Sequence, residues 1–388
     1  MGGKNVATNI QIPFNRPAPA GDELRLIADV IESGKLGGDG EMGRACERIL
    51  RDELEAPAVL LTPSCTQALE ISGLLLDINP GDEVISPSFT YPSTAGAFVM
   101  RGARPVFAEI RPDTLNLDES QVEHLIGPRT RAVVCTHYAG VGCEMDTLLS
   151  LCERHGIALI EDVALALFGT YRDRPLGSIG RFGAISFHET KNVTSGEGGA
   201  LILNDPQDVE RAEILREKGT DRAAFLRGDV SQYQWVDVGS SYLPSELQTA
   251  FLLGQLEQRR EIQAARQKIW ERYAAELQGW ADDHEVTLPV VPADCRHPAH
   301  LFHLMLPTRA ARDGLIAHLR QRGIVAAFHY LPLHLSRLGR RLAPDGPPLP
   351  VTEAASERIV RLPLFTGLSD GQQSQVIEAV KEFRPQRA

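Results

Sequence analysis

Seven short apolar runs constrain this chain more than any other feature. They are "AVLLT" (58–62), "DEVISP" (82–87), "RPVFAE" (104–109), "RAVVCT" (131–136), "IALIED" (157–162), "FGAISF" (182–187) and "GALIL" (199–203). Each is too short for a helix and lacks clean polar–apolar alternation, the pattern of strands buried on both faces. Amphipathic stretches such as 66–76 and 145–155 lie between them. Strands alternating with helices imply βαβ crossovers and a mainly parallel, doubly wound sheet.

The pattern changes after residue 245, where a long Gln-, Glu- and Arg-rich helical stretch runs to about Trp270. "HLFHLMLP" (300–307), a helix at 309–322, "IVAAFHYLP" (324–332) and a helix at 370–383 follow, with Pro-rich "APDGPPLPV" (343–351) as a surface loop. With 388 residues, two units are expected: a large sheet domain over 12–255 and a small C-terminal α/β domain over 256–388.

Charge and cysteine usage narrow the function. A formal net charge of −11 argues against non-specific nucleic-acid binding and against anionic membranes. It leaves room for an anionic ligand held by backbone amides. The six cysteines are scattered with no C-x-x-C pair, which disfavours a disulfide framework or zinc site and fits a reducing cytoplasm. No apolar run approaches the ~20 residues of a membrane span, and "MGGKNVATNIQ" lacks the apolar core of a secretory signal.

In a doubly wound sheet, ligands bind at the carboxyl ends of strands. In "LLTPSCTQAL" (60–69), Ser64, Cys65 and Thr66 open a helix and can present amides and hydroxyls to a phosphate; capping alone would also explain them. In "PSFTYPSTAGAF" (87–98), Phe89 and Tyr91 can lie over a flat ring or simply pack in the core. In "IALIEDVALALFG" (157–169), Asp162 sits in an apolar setting and needs a cationic or hydrogen-bonding partner, for which a protonated pyridine nitrogen would serve. In "SFHETKNVTSGEGG" (186–199), Lys191 follows Ser186 and precedes a glycine-rich turn. A lysine in a partly desolvated cleft can form a Schiff base with an aldehyde, although most lysines are solvated surface charges. Together the four positions suit pyridoxal phosphate: phosphate, ring face, ring nitrogen and aldehyde. The G-x-x-x-x-G-K-[ST] and G-x-G-x-x-G fingerprints are absent, which speaks against a nucleoside-triphosphate P-loop or an NAD-dependent oxidoreductase.

"PFNRPAPAGDEL", "SCTQALE", "PSFTYPSTA", "RPDTLNLD", "SFHETKN", "GEGG" and "GSSYLPSELQTA" resemble the nucleotide-sugar aminotransferases of the DegT/DnrJ/EryC1/StrS group. "KLGGDG", "HYAGVGCEMDT", "REKGTDR" and "FHYLPLH" are most similar to the dTDP-4-amino-4,6-dideoxyhexose transaminases, and the likeness spans roughly 12–385. The resemblance implies a type I PLP-dependent transferase (aspartate aminotransferase-like) fold, a homodimer with shared active sites, and L-glutamate as amino donor. It implies transfer to C4 of dTDP-4-keto-6-deoxy-D-glucose. A C3 nucleotide-sugar aminotransferase is an alternative, as is a sugar dehydratase of the same fold, although such dehydratases carry histidine in place of the lysine.

Carried over residue by residue, Lys191 is the Schiff-base lysine, Asp162 pairs with the pyridine nitrogen and Tyr91 stacks on the ring. Ser64, Cys65, Thr66 and Ser186 surround the phosphate. Ser241 stands where relatives offer an asparagine from the partner subunit. His188, His329 and His334 are implied to line the sugar site. Many relatives read E-D-A-A-Q where this chain reads "EDVAL", so Leu165 replaces a glutamine that bonds the cofactor's ring oxygen. His297, His300 and His303 lack a paired ligand set, and no metal is expected.

Overall fold

A computed structural model describes residues 10–385. In chain order the strands are β1 (Ala58–Thr62), β2 (Glu83–Pro87), β3 (Arg104–Ala108), β4 (Thr130–Thr136), β5 (Ala158–Asp162), β6 (Thr170–Tyr171), β7 (Arg174–Pro175), β8 (Phe182–Ser186), β9 (Gly199–Leu203), β10 (Cys295–Arg296), β11 (Phe302–Met305) and β12 (Ile359–Leu362). Each of the seven apolar runs forms a strand of one sheet, ordered β1-β9-β8-β5-β4-β2-β3. Helices cover both faces, which is why the runs do not alternate. Leu60, Val134 and Ile160 are buried in one apolar cluster, while their neighbours Leu61, Val133 and Leu159 are buried in clusters on the other face.

The strands β3, β2, β4, β5 and β8 run parallel, but β9 is antiparallel to both β8 and β1. A parallel return needs a crossover of a dozen or more residues, usually helical. The link 187–198 instead forms a compact loop, with Phe187 N donating to Gly198 O (2.8 Å) and Ser195 N to Phe187 O (2.9 Å). Lys191 sits in that loop.

The helical stretch after 245 is two helices, Glu246–Glu257 and Arg259–Asp283, with Gln258 between them. The second continues past Trp270, and its Ile269, Tyr273, Leu277 and Trp280 enter a C-terminal core with Phe302, Leu315, Val360 and Val376. Ile12 is 1% exposed in that same core and bridges to Ile324. "IVAAFHYLP" does not form a strand. It makes bridges only at Ile324 and at Ala327, opposite Arg361, and then turns at Tyr330, whose φ is +28°. Of 343–351, only the first part is a loop: Leu349 is buried and Pro350–Arg358 is a helix. No helix among the described residues is long and apolar enough to cross a membrane.

Candidate active site

The carboxyl ends of β1, β5 and β8 open onto a cavity of about 750 Å³, closed on its other side by residues 327–330 and by β12. Ser64, Cys65, Thr66, Tyr91, Asp162, Leu165, Ser186, His188, Lys191 and His329 all line it. The four strand-end stretches therefore meet in space.

Lys191 is held by its loop, its backbone N–H donating to His188 O (2.9 Å). Burial pushes its pKa below the ordinary lysine value; Cys65 and Asp162 oppose that shift, and Arg361 adds to it. The result is an amine that gives up its proton more readily than a surface lysine, as nucleophilic and general-base lysines require. His188 stands beside it, Nδ1 3.0 Å from Thr190 Oγ1 and Nε2 3.8 Å from a Glu197 carboxylate oxygen.

The last two residues of β5 are adjacent carboxylates on opposite faces of the sheet. Glu161, fully buried, accepts the N–H groups of Gly177, Ile179 and Gly180 at 2.7–2.8 Å and lies 3.0 Å from His137 Nε2. His137 Nδ1 accepts the Cys143 N–H (3.1 Å), so both ring nitrogens have partners. Asp162, 4% exposed, faces the cavity. Its Oδ2 accepts from Thr94 Oγ1 (2.7 Å) and its Oδ1 from Ala164 N (3.1 Å). Thr94 Oγ1 in turn lies 2.8 Å from Thr90 Oγ1, which is 3.0 Å from Thr136 Oγ1. This hydroxyl chain fixes the carboxylate's orientation.

On the β1 side, the helix Cys65–Leu75 begins at the cavity wall, capped by Ser64 Oγ, which accepts from Gln67 N (3.2 Å). Losing such a cap costs about 1 kcal/mol. Thr66 Oγ1 lies 2.7 Å from Ser93 Oγ. Gly199 passes so close that a Cβ there would run into the carbonyl carbon of Ser64 and the amide nitrogen of Cys65. Glycine is required because the strand backbone presses against the helix start. Burial pushes the Cys65 thiol well above its ordinary pKa, so it stays protonated.

These groups fit pyridoxal phosphate. A helix start with nearby hydroxyls suits the phosphate, Asp162 suits a protonated pyridine nitrogen, and Lys191 suits the aldehyde. Tyr91 is 62% exposed at the cavity wall, so its ring face is available, whereas Phe89 is 1% exposed and packs on Tyr138 and Tyr330. Leu165, 4% exposed, offers no polar atom to the cavity.

Two expected site residues stand outside this wall. The ring of His334 bridges Ser88 Oγ (2.7 Å) and Glu353 (3.3 Å). Ser241 is exposed and bridges to Glu217. The structure also brings in residues that the sequence reading did not select. Asn192 links His300 Nδ1 (2.9 Å) to the Pro298 carbonyl (2.7 Å), and Phe14 and Arg361 also face the cavity. A positive charge inside the apolar stretch "RIVRLP" (358–363) was the one available signal for Arg361.

The profile of the DegT/DnrJ/EryC1/StrS aminotransferase family matches residues 18–381. The spore coat polysaccharide biosynthesis protein SpsC of Bacillus subtilis (strain 168) is 32% identical over 384 residues, covering 96% of this chain and 97% of that protein. The aminotransferase TlmJ from Streptoalloteichus hindustanus superposes with a TM-score of 0.87 at 31% identity, covering 97% of this chain and 98% of that one. The putative sugar aminotransferase Spr1654 from Streptococcus pneumoniae, solved in PLP and PMP forms, superposes at 0.88 with 27% identity, covering 96% and 98%. The chain belongs to the DegT/DnrJ/EryC1/StrS aminotransferase family and is a pyridoxal phosphate-dependent aminotransferase of the type I fold.

Proposed function

We propose that the chain moves an amino group from L-glutamate to C4 of dTDP-4-keto-6-deoxy-D-glucose, giving a dTDP-4-amino-4,6-dideoxyhexose. The observation that carries the chemistry is a lysine of lowered basicity sharing one cavity with a buried, hydrogen-bonded carboxylate and a helix start. The names of SpsC and Spr1654, which refer to polysaccharide biosynthesis and to a sugar aminotransferase, support a sugar as acceptor. The "KLGGDG", "HYAGVGCEMDT" and "FHYLPLH" likenesses support the dTDP-4-keto class.

Bound pyridoxal phosphate supplies the electron sink that accepts the charge left when the donor's α-proton departs. Lys191 Nζ, kept neutral more readily by burial, would take that proton and return it two bonds away, across the transferred nitrogen. Asp162, oriented by Thr94 and Ala164, keeps a proton on the pyridine nitrogen. The Ser64–Thr66 turn and Ser186 hold the phosphate, and Tyr91 covers the ring. His188 and His329 meet the sugar. The same groups run in reverse for the keto sugar, so one base serves both halves.

The enzyme acts as a homodimer with shared sites. Large apolar side chains stand exposed on this single chain at Trp235 (81%) and Met100 (76%), which supports a second copy covering them. Ser241, exposed between Trp235 and the helix Glu246–Glu257, is the residue such a copy would bring towards a neighbouring phosphate. Incubating the purified protein with PLP, L-glutamate and dTDP-4-keto-6-deoxyglucose tests the reading. NMR should place the new amine at C4; an amine at C3 of a 3-keto substrate, with the 4-keto sugar untouched, overturns it.

A further inference from the structure

Four of the six cysteines, scattered in sequence, share one buried apolar cluster: Cys135, Cys143, Cys152 and Cys295. Two of them meet an imidazole. Cys135 lies on β4, paired with Glu161 across the ladder, and its Sγ is 3.8 Å from the Met145 thioether. The chain then turns tightly: Gly140 N donates to His137 O (3.2 Å), and Ala139 and Gly140 take φ of +57° and +92°. Asn116 fixes the turn, its Nδ2 donating to the Val141 and Gly142 carbonyls at 3.0 and 2.9 Å. Cys143 is thereby returned to His137, whose Nδ1 accepts its N–H (3.1 Å). Donor atoms of Cys135, His137 and Cys143 all lie within 4.8 Å of one another, and the three residues are 0–1% exposed.

A buried cysteine by itself is a small hydrophobe. What sets this cluster apart is the group that orients it. Glu161 accepts three backbone N–H groups and is therefore a carboxylate, so His137 Nε2 carries the proton donated to it. The ring's lone pair is then on Nδ1, on the side of Cys143. An imidazole whose far N–H is held by a carboxylate is the arrangement of metal-ligating histidines, since the carboxylate fixes the tautomer and raises ligand basicity. The thiol protons have poor acceptors: Cys143 Sγ reaches only the Thr136 carbonyl (3.4 Å), and the contact of Cys135 is a thioether. Two thiolates and a neutral imidazole are soft donors that select zinc or monovalent copper over hard cations. Two thiolates also cancel the charge of a divalent ion, so bound zinc adds no net charge to an apolar core. On binding, the ion takes the Nδ1 lone pair in place of the Cys143 N–H.

We propose that Cys135, His137 and Cys143 form a site for one soft closed-shell cation, zinc or monovalent copper. The ion staples the 137–143 turn to β4 behind Asp162, whose carbonyl accepts the His137 N–H (3.3 Å). None of the three ligands lines the cofactor cavity, so the site stands apart from the reaction proposed above.

The test titrates the PLP-loaded enzyme, kept reduced, with zinc against a chromogenic chelator and with monovalent copper against bicinchoninate. One equivalent per chain should resist the chelator and raise the melting temperature. The ion held more tightly at matched free concentration identifies the occupant. Cys135→Ser and Cys143→Ser should each weaken binding about 100-fold or more. Binding of neither ion by the wild type, or equal binding after both substitutions, overturns the proposal. X-ray absorption of the metal-loaded wild type decides without any variant, should the substitutions prevent folding. Sulfur neighbours at about 2.3 Å from zinc support the site; a shell of oxygen and nitrogen alone overturns it.

Discussion

On the sheet side of the cavity, Asp162 accepts from Thr94 and Ala164, Thr66 lies against Ser93, and Ser64 caps its helix. On the C-terminal side, Arg361 Nε is buried with nothing to bond. Partnered groups are fixed in direction and suit a cofactor that stays. Unpartnered ones each leave about 1–3 kcal/mol of desolvation uncompensated until something binds, which suits a ligand that comes and goes. The difference sets a hydrogen-bonded sheet side, which the proposed reading gives the chemistry, against an incompletely bonded C-terminal side.

The largest expected effect tests the chemical wall. Lys191→Ala should lower transamination by about 10³-fold or more and abolish the absorbance of the lysine-bound cofactor; retained turnover would remove the lysine from its role. Next comes the paired contrast on β5. Asp162→Asn keeps a hydrogen-bonding shape but cannot hold a proton on the ring nitrogen. Turnover should fall about 10²-fold with the melting temperature of the protein nearly unchanged. Glu161→Gln leaves backbone N–H groups competing for one amide oxygen and should cost about 3 kcal/mol of stability, read by denaturant melts. Equal stability losses in the two variants would erase the distinction between a working and a structural carboxylate.

A smaller effect tests the burial of Lys191 itself. Its proton affinity is lower folded than unfolded, so the folded chain holds fewer protons as pH rises towards the ordinary lysine value of 10.5. The lysine therefore destabilises the cofactor-free protein at neutral pH, and that penalty fades on approach to pH 10.5. Lys191→Met should raise the melting temperature of the cofactor-free protein near pH 7, with the advantage shrinking by pH 10. An advantage that grows with pH would contradict the sign. Smallest is Leu165→Gln, which offers the cofactor ring oxygen a donor that this chain lacks. PLP should be retained more tightly by a few-fold, measured by dialysis, with a shift in cofactor absorbance. No change in either would show that the apolar residue is neutral there.

Much of the chemical wall was legible before any fold was known, because its residues sit at strand ends, and strand ends can be read from local pattern. Asp162 closes "IALIED", Ser64 follows "AVLLT", and Lys191 follows "FGAISF". The direction of β9 was not legible from pattern alone, since "GALIL" reads the same either way and only the compact 187–198 loop makes it antiparallel. Arg361 was missed for a different reason. Its own strand explains it as one polar residue among apolar ones, and its meaning depends on Phe14, His303 and Phe328, which lie far from it in sequence.

The sequence by itself determined the α/β class, the strand set and the residues able to meet a phosphate, a ring nitrogen and an aldehyde. These follow from hydrophobic period and from residue types at strand ends, both local properties. Only the tertiary structure decided that Glu161 is buried scaffolding while Asp162 faces the cavity, that His334 ties Ser88 to Glu353, and that a cation waits across from the lysine. Those outcomes turn on which face a residue presents and what packs against it, and solvation of a polar group is set by neighbours that chain order does not reveal.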